Sequence, residues 1–299
     1  MAETSWLTKF PQMDHSQLLS IRKTLDSAYR DFSRSYGDAI EAFFDPLLYF
    51  LVWLEKLLLS SPWWAVILAV TALAYAASRS WKLSLGVVAA FLAIGYFGMW
   101  DNTMRTMSII TVCTLISIVL GIPIGILMAR SDRARSVITP VLDVMQTMPA
   151  FVYLIPVVML LGIGKIPGVI AVVIYAIPPV IRLTNLGIRL VDREVLEAAV
   201  AYGANGWQRL FGVQLPLAMP TIMAGINQTI MMALAMVVIA SMIGVKGLGQ
   251  PVLKSITNQY FTMGLFNGLA IVALAIIFDR VSQAYAKRSQ RHMEGIKSA

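Results

Sequence analysis

Residues 191–222 read VDREVLEAAVAYGANGWQRLFGVQLPLAMPTI and stand between two long apolar runs. The first half of this stretch predicts a helix that lies outside lipid. Asp192 is suited to cap its start, Glu194 and Glu197 sit near the positive end of the helix dipole, and Ala198, Ala199 and Ala201 favour helix while allowing close approach. Gly203 can end or kink it. Glu197, Ala201 and Ala204 fall on one face, with Ala198 and Tyr202 beside them, a small-residue surface carrying one charge and one aromatic ring. Beyond Trp207–Val213, Leu215-Pro216 closes the loop and Pro220 suits the first turn of the next apolar run.

Those flanking runs belong to a series. Seven apolar stretches approach the roughly 17 to 25 residues that a hydrocarbon core of about 30 Å requires: Trp63 to Ala77, Leu83 to Met99, Met107 to Met128, Val141 to Leu161, Pro167 to Leu186, Met219 to Ile243 and Gly264 to Tyr285. Composition agrees, since 58% of the 299 residues are hydrophobic and only 13% charged, with a mean hydropathy of +0.73. A single soluble core could not absorb so much apolar surface. An eighth stretch, Phe43 to Leu59, carries Asp45, Pro46, Glu55 and Lys56 and reads as interfacial, because each charge at mid-membrane costs roughly 2.5–3.5 kcal/mol. Upstream, Leu18, Ile21, Leu25, Ala28, Phe32 and Tyr36 recur at helical steps among Arg22, Lys23, Asp26, Arg30 and Arg34, an amphipathic helix suited to a bilayer surface or a partner subunit.

The net charge of +8 is distributed by loop. Arg79, Lys82, Arg130, Arg133, Arg135, Arg189, Arg193, Arg209, Arg280 and the basic residues after it fall on one side; Arg105, Lys165, Lys246 and Lys254 fall on the other. The positive-inside rule places the first group, and with it the C-terminus, in the cytoplasm; the side of the N-terminal tail stays open. The excess charge is therefore expected to mark loops rather than a nucleic-acid site. No apolar signal segment is expected in the first forty residues. Cys113 is a lone cysteine in an apolar run, and His15 and His292 lie in terminal polar regions without carboxylate or thiol company, so no metal site is expected.

The spacing Glu-Ala-Ala, three residues, Gly, nine residues, aliphatic, one residue, Leu-Pro is met by Glu197, Ala198, Ala199, Gly203, Val213, Leu215 and Pro216. It resembles the cytoplasmic signature loop of permease subunits of binding-protein-dependent ABC importers; on background frequencies a chance match is about one in ten thousand. QTMPAFVYLIPVVMLLGIG, IYAIPPVIRLTNLGIR and IGVKGLGQPV look like the glycine betaine and proline betaine branch. The resemblance implies an all-α membrane protein of the type I ABC importer permease architecture, with about seven transmembrane helices and an N-terminal amphipathic, interfacial helix. It divides the chain into a tail over 1–60, a permease domain over 61–285 containing the coupling loop 190–218, and a basic C-terminal tail over 286–299.

The resemblance further implies a multi-pass protein of the bacterial inner membrane, an ATPase partner that receives Glu197, Ala198, Ala199, Tyr202, Gly203, Ala204, Leu215 and Pro216, an extracytoplasmic substrate-binding protein, and a second copy of this chain. No cofactor is expected on the chain itself, ATP and magnesium belonging to the partner. The residues agree, because neither Gly164-Lys165-Ile166 nor Val245-Lys246 completes a phosphate-cradling GxxxxGK[ST] loop. No residue is expected to catalyse a covalent step. An ABC permease for choline, carnitine, trimethylamine oxide or another small solute, and an ion-coupled secondary transporter, are the competing readings.

For the substrate pathway the candidates are Gln146, Thr147, Pro149, Asn227, Gln228, Met231 and Met232; for an outer gate they are Gly244, Gly247 and Gly249, where plain turn formation is an equal alternative. Gly121 and Gly125 form a GxxxG that suits close helix packing. Pro178-Pro179 must disturb its span, as a static kink or as the edge of a cavity. Arg182, just inside the end of that span, is either functional or a side chain that reaches back to the interface.

Overall fold

The computed structural model describes residues 12–297, with side chains through Ala284 and at Ala286, and among these every regular element is helical. The parts of both tails beyond these limits, including His292, lie outside the side chains described. The first element, α1 (His15–Ser60), is a single helix of 46 residues that continues through Pro46. It meets α2 (Trp63–Ser78) at 113°, so the two directions are close to perpendicular. Phe43 to Leu59, read as interfacial from the sequence, is the C-terminal part of one long helix that runs across the direction of α2.

The helix α1 touches the bundle with an unexpected face. Tyr29 donates to the Pro156 carbonyl, Ser33 donates to Met159 O at 3.2 Å, and Gly37 is buried against the backbone at Leu160. The apolar stripe Ile21, Leu25, Phe32 and Tyr36 is left uncovered, with Leu25 65% exposed. A stripe of that composition, bare in water, would be unfavourable, and it is suited to lipid or to another chain.

Two short helices follow, α2 and α3 (Trp81–Tyr96), packed as a hairpin against the last helix. At 16 residues each they reach about 24 Å. Next come α4 (Trp100–Arg130), α5 (Asp132–Thr147), a 3-10 turn (Ala150–Tyr153) leading into α6 (Leu154–Leu161), α7 (Lys165–Ala176) and α8 (Pro178–Arg189). Then follow α9 (Arg193–Ala201), α10 (Gly206–Arg209), a π-helical turn (Leu210–Gln214), α11 (Leu215–Ala240), α12 (Gly249–Asn258) and α13 (Phe261–Lys297). Among the described residues four segments are long and apolar enough to cross a membrane unaided: Trp100–Arg130, Lys165–Arg189, Gly206–Ile243 and Phe261–Ala284.

The count rises to six if each sharply bent pair is taken as one span, so two stretches read from hydropathy have a different shape. Val141 to Leu161 is not one rod. Pro149 removes a donor and Met148, preceding it, is held extended at φ −68°, ψ 133°, so α5 and the segment Ala150–Leu161 meet at 109°. By contrast Pro178-Pro179 interrupts its span for only one residue. Ile177 keeps helical angles and its N–H still reaches Val173 O at 2.9 Å, and both prolines are buried.

The centre of the bundle is α8, packed between α4 and α11. Glycines make this approach possible. A Cβ at Gly121 would come 2.4 Å from Val180 Cγ1, and one at Gly125 would come 2.8 Å from the Ile181 carbonyl. On its other side α8 meets α11 through Gly187, against Ala218, and Gly225, against the backbone of Pro179 and Val180. The GxxxG is therefore a packing device, as small-residue motifs are between apolar helices.

Candidate functional site

The first part of the segment between α8 and α11, the helix α9, stands out from the bundle. Asp192 caps α9 by accepting the Glu194 N–H at 3.0 Å, and Gly203 ends it at φ +80°, a conformation that side chains resist. Glu197, Ala198, Ala201 and Tyr202 are all exposed, and Tyr202 is 94% exposed. None of the residues of α9 is buried. Ala204 departs from the expected face, because α9 stops at Ala201 and Ala204 belongs to the turn that follows it. There Asn205 starts α10 with a reciprocal cap: it accepts from the Gln208 N–H at 2.8 Å while Gln208 Oε1 accepts from the Asn205 N–H at 2.9 Å.

The expectation that Leu215-Pro216 closes the loop needs correction. The chain runs as continuous helix from Gly206 to Ile243, and these residues lie within it. Pro216 has no N–H to donate, and the ladder widens just before it: Leu215 N–H bonds to Leu210 O, five residues back, in a π-helical turn. Such turns recur at functional sites. For the same reason Pro220 lies inside α11 rather than in its first turn. Leu210 is 1% exposed and joins Ile188, Ala218 and Ile222 in a core cluster, with Ile122, Ile126 and Ala129 of α4 beside it. So the inner side of the segment is anchored and the outer side is bare.

An aromatic and cationic corner supports it. The Arg130 guanidinium lies 5.4 Å from the centroid of the Trp207 ring, which stacks on Phe211 at 5.6 Å with planes 9° apart. Arg189 bonds Met128 O at 2.8 Å and Asp132 Oδ1 at 2.7 Å, tying α8 to the turn between α4 and α5. At the opposite end of α4, Arg105 at 3.3 Å and Lys165 at 2.5 Å share the buried Glu55 of α1. Arg105 and Lys165, grouped on one side by their loops, therefore do share one end of the bundle, and Arg130 and Arg189 share the other.

The pathway candidates are dispersed. Gln146, Thr147 and Pro149 are exposed at the α5 break, and the 3-10 turn beyond it packs on α11. On α11 itself Ala224, Gln228, Met231 and Ala235 form an uncovered row at helical spacing between buried neighbours. Met232 lies outside that row, and Met236 is fully buried. Asn227 is engaged elsewhere: it donates to Asp279 Oδ1 at 2.7 Å and accepts from Ser282 at 2.6 Å, linking α11 to α13. Arg182 does not simply reach back to the interface; it pairs with Asp143 of α5. Asp143 and Asp279 were not singled out from the sequence, and Glu55 and Trp207 were read there without their partners, since the partners of these four lie 39, 52, 50 and 110, and 77 positions away.

Gly244, Gly247 and Gly249 occupy tight positions at the end of the bundle away from α9. Gly244 and Gly247 have φ of +86° and +154°; a Cβ at Gly247 would meet Thr106 Oγ1 at 2.6 Å, and one at Gly249 would meet Val238 Cα at 2.8 Å. Leu248 N–H donates to Thr106 Oγ1 at 2.9 Å, which pins the turn to α4. Among the described residues no three His, Cys, Asp or Glu side chains converge as metal ligands would.

This bundle is the fold of a type I ABC importer permease. It superposes on solved inward-facing structures of the MetNI methionine ABC transporter with a TM-score of 0.57 at 18% identity, covering 62% of this chain and 93% of that one in one crystal form. Residues 121–291 match the family of binding-protein-dependent transport system inner membrane components, and the chain belongs to that family. It is 49% identical over 82% of its length, and 69% of the other's, to a glycine betaine/proline betaine transport system permease protein of Escherichia coli. It is 48% identical over 77% of its length, and 82% of the other's, to a glycine betaine/carnitine transport permease protein of Listeria monocytogenes. A trimethylamine N-oxide transport system permease protein of Ruegeria pomeroyi is 37% identical over 77% of this chain but only 35% of its own length. This chain is an ABC permease of the inner membrane.

Proposed function

We propose that the chain forms the gated pathway of an ATP-driven importer for glycine betaine and proline betaine. Identity of about one half to permeases named for glycine betaine, extending over most of this chain, carries the substrate class. The bare α9 and Tyr202, held on an anchored inner side, support the role of 190–218 as the segment that docks on a separate ATPase. The partner supplies ATP and magnesium, an extracytoplasmic binding protein delivers the solute, and a second copy completes the pathway. The thirteen basic residues of one set of loops support a cytoplasmic position for the α9 end and the C-terminus.

Within this reading the row Ala224, Gln228, Met231 and Ala235 lines the pathway, with Gln146, Thr147 and Pro149 at the adjoining break. Asn227 is better suited to holding α11 against α13. Gly244, Gly247 and Gly249 form the rigid turn at the outer mouth. The test is uptake of labelled glycine betaine by cells that lack their own uptake systems and express this chain with its ATPase and binding protein. Uptake abolished when either partner is omitted, and competed by proline betaine, is the expected result. Competition by carnitine, choline or trimethylamine N-oxide but not by betaines would assign the alternative solute, and uptake by the chain alone under an ion gradient would overturn the importer reading.

A further inference from the structure

The contact between Arg130 and Trp207 lies where the segment after α9 meets the end of α4, a helix of 31 residues. Arg130 is the last residue of α4, and its guanidinium stands over the Trp207 ring at 5.4 Å. Gly206 lies beneath the same group, where a Cβ would come 3.4 Å from Arg130 Nη2. Trp207 in turn stacks on Phe211 in the π-helical turn. Among the described residues no carboxylate pairs with Arg130. The neighbouring corner is already held without it, because Arg189 takes both Met128 O and Asp132. What Arg130 adds is a link to the segment, through a cation–π contact that gains strength as water is excluded from it.

The rod leads somewhere. From Arg130 back to Thr106 the helix α4 covers about 36 Å at 1.5 Å per residue, and Thr106 accepts the Leu248 N–H of the Gly244–Gly249 turn. One helix thus touches the free segment with one end and the glycine turn with the other. We propose that Arg130 is a positioning residue that fastens the segment to α4 through the face of Trp207, so that displacement of the docked segment travels along α4 to the glycine turn. The inference rests on the reading of 190–218 as the ATPase-docking segment. Helices and packed contacts of this kind are the means by which distant sites influence each other.

The experiment reconstitutes the whole transporter, this chain with its ATPase and binding protein, in liposomes and reads labelled glycine betaine imported per ATP hydrolysed. Arg130→Ala and Trp207→Ala should each lower that ratio at least about fivefold, with the ATPase still copurifying at the unaltered stoichiometry. Trp207→Phe and Arg130→Lys, which keep a ring and a cation, should recover most of it; these two variants also decide the matter if either alanine variant fails to fold. An unaltered ratio in the variants, or loss of the ATPase from the purified complex, would overturn the inference. Glu197→Lys in parallel separates the two levels: if it leaves both ratio and association unaltered, the docking assignment itself has failed.

Discussion

Gly203 shows how much a single residue can report. Its φ of +80° explains a glycine locally, yet a Cβ there would meet nothing within 4 Å. Asp is among the residues that tolerate this backbone region best, so Gly203→Asp should cost the isolated chain only about 1 kcal/mol. Loss of transport in that variant would therefore report on what docks there rather than on folding. Glu197→Lys is the companion, reversing a charge on an exposed side chain of a helix that has no buried residue. Both variants should insert and purify like the parent while betaine uptake falls to background; uptake at the parent rate in both would remove the docking role from this loop. At this scale the sequence was highly legible, because caps, helix-favouring alanines and a terminating glycine act within a few residues of one another. Glu55 was the opposite case. It reads as an obstacle to membrane crossing, and its meaning depends on Arg105 and Lys165, which only the fold brings to it.

Among the elements, α8 is the one whose environment is most demanding. It is packed on both sides through glycines, and its two prolines sit where neighbouring helices cover the interrupted ladder. Gly125→Leu should be severe: its Cβ alone would come within 2.6 Å of Thr184 Cβ and 2.8 Å of a backbone carbonyl that cannot move aside. Overpacking typically costs about 1–3 kcal/mol, and the detergent-solubilised variant should melt several degrees below the parent; an unchanged melting curve would show that α4 and α8 separate more easily than their packing indicates. Gly86→Leu, where nothing lies within 4 Å, is the matched control. Hydropathy located this span but could not distinguish it from Val141 to Leu161. Both contain proline, and the outcome is decided by whether neighbours bury the break, as at Pro178-Pro179, or leave it open, as at Pro149.

For the molecule as a whole, the fold class and the free-standing segment followed from apolar runs and one motif, whereas the pathway did not. Gln228 and Asn227 are adjacent in sequence and were equivalent as candidates. One faces an uncovered side of α11 and the other is bonded to Asp279 and Ser282, a distinction set by helix rotation within the bundle. The two-ended arrangement of basic residues is likewise a property of the whole chain, and it agrees with their grouping by loop because the spans Trp100–Arg130 and Lys165–Arg189 carry Arg105, Arg130, Lys165 and Arg189 near their ends.

The brevity of α2 and α3 bears on the surrounding lipid. Trp63 and Trp64 begin one helix and Trp81 begins the other, all more than half exposed, so the hairpin presents indole rings at both ends of a rod of about 24 Å. Indoles prefer the headgroup level. A hydrocarbon layer of about 30 Å would have to thin beside this hairpin while remaining at full depth around α4 and α11, and the cost of such mismatch grows with each ångström. Transport reconstituted in bilayers of graded acyl-chain length should fall as the chains lengthen, and a flat response would mean that the hairpin tilts with the rest. If transport does fall, the hairpin acts as a gauge of local thickness, and the thinner regions of an uneven membrane would suit this permease best.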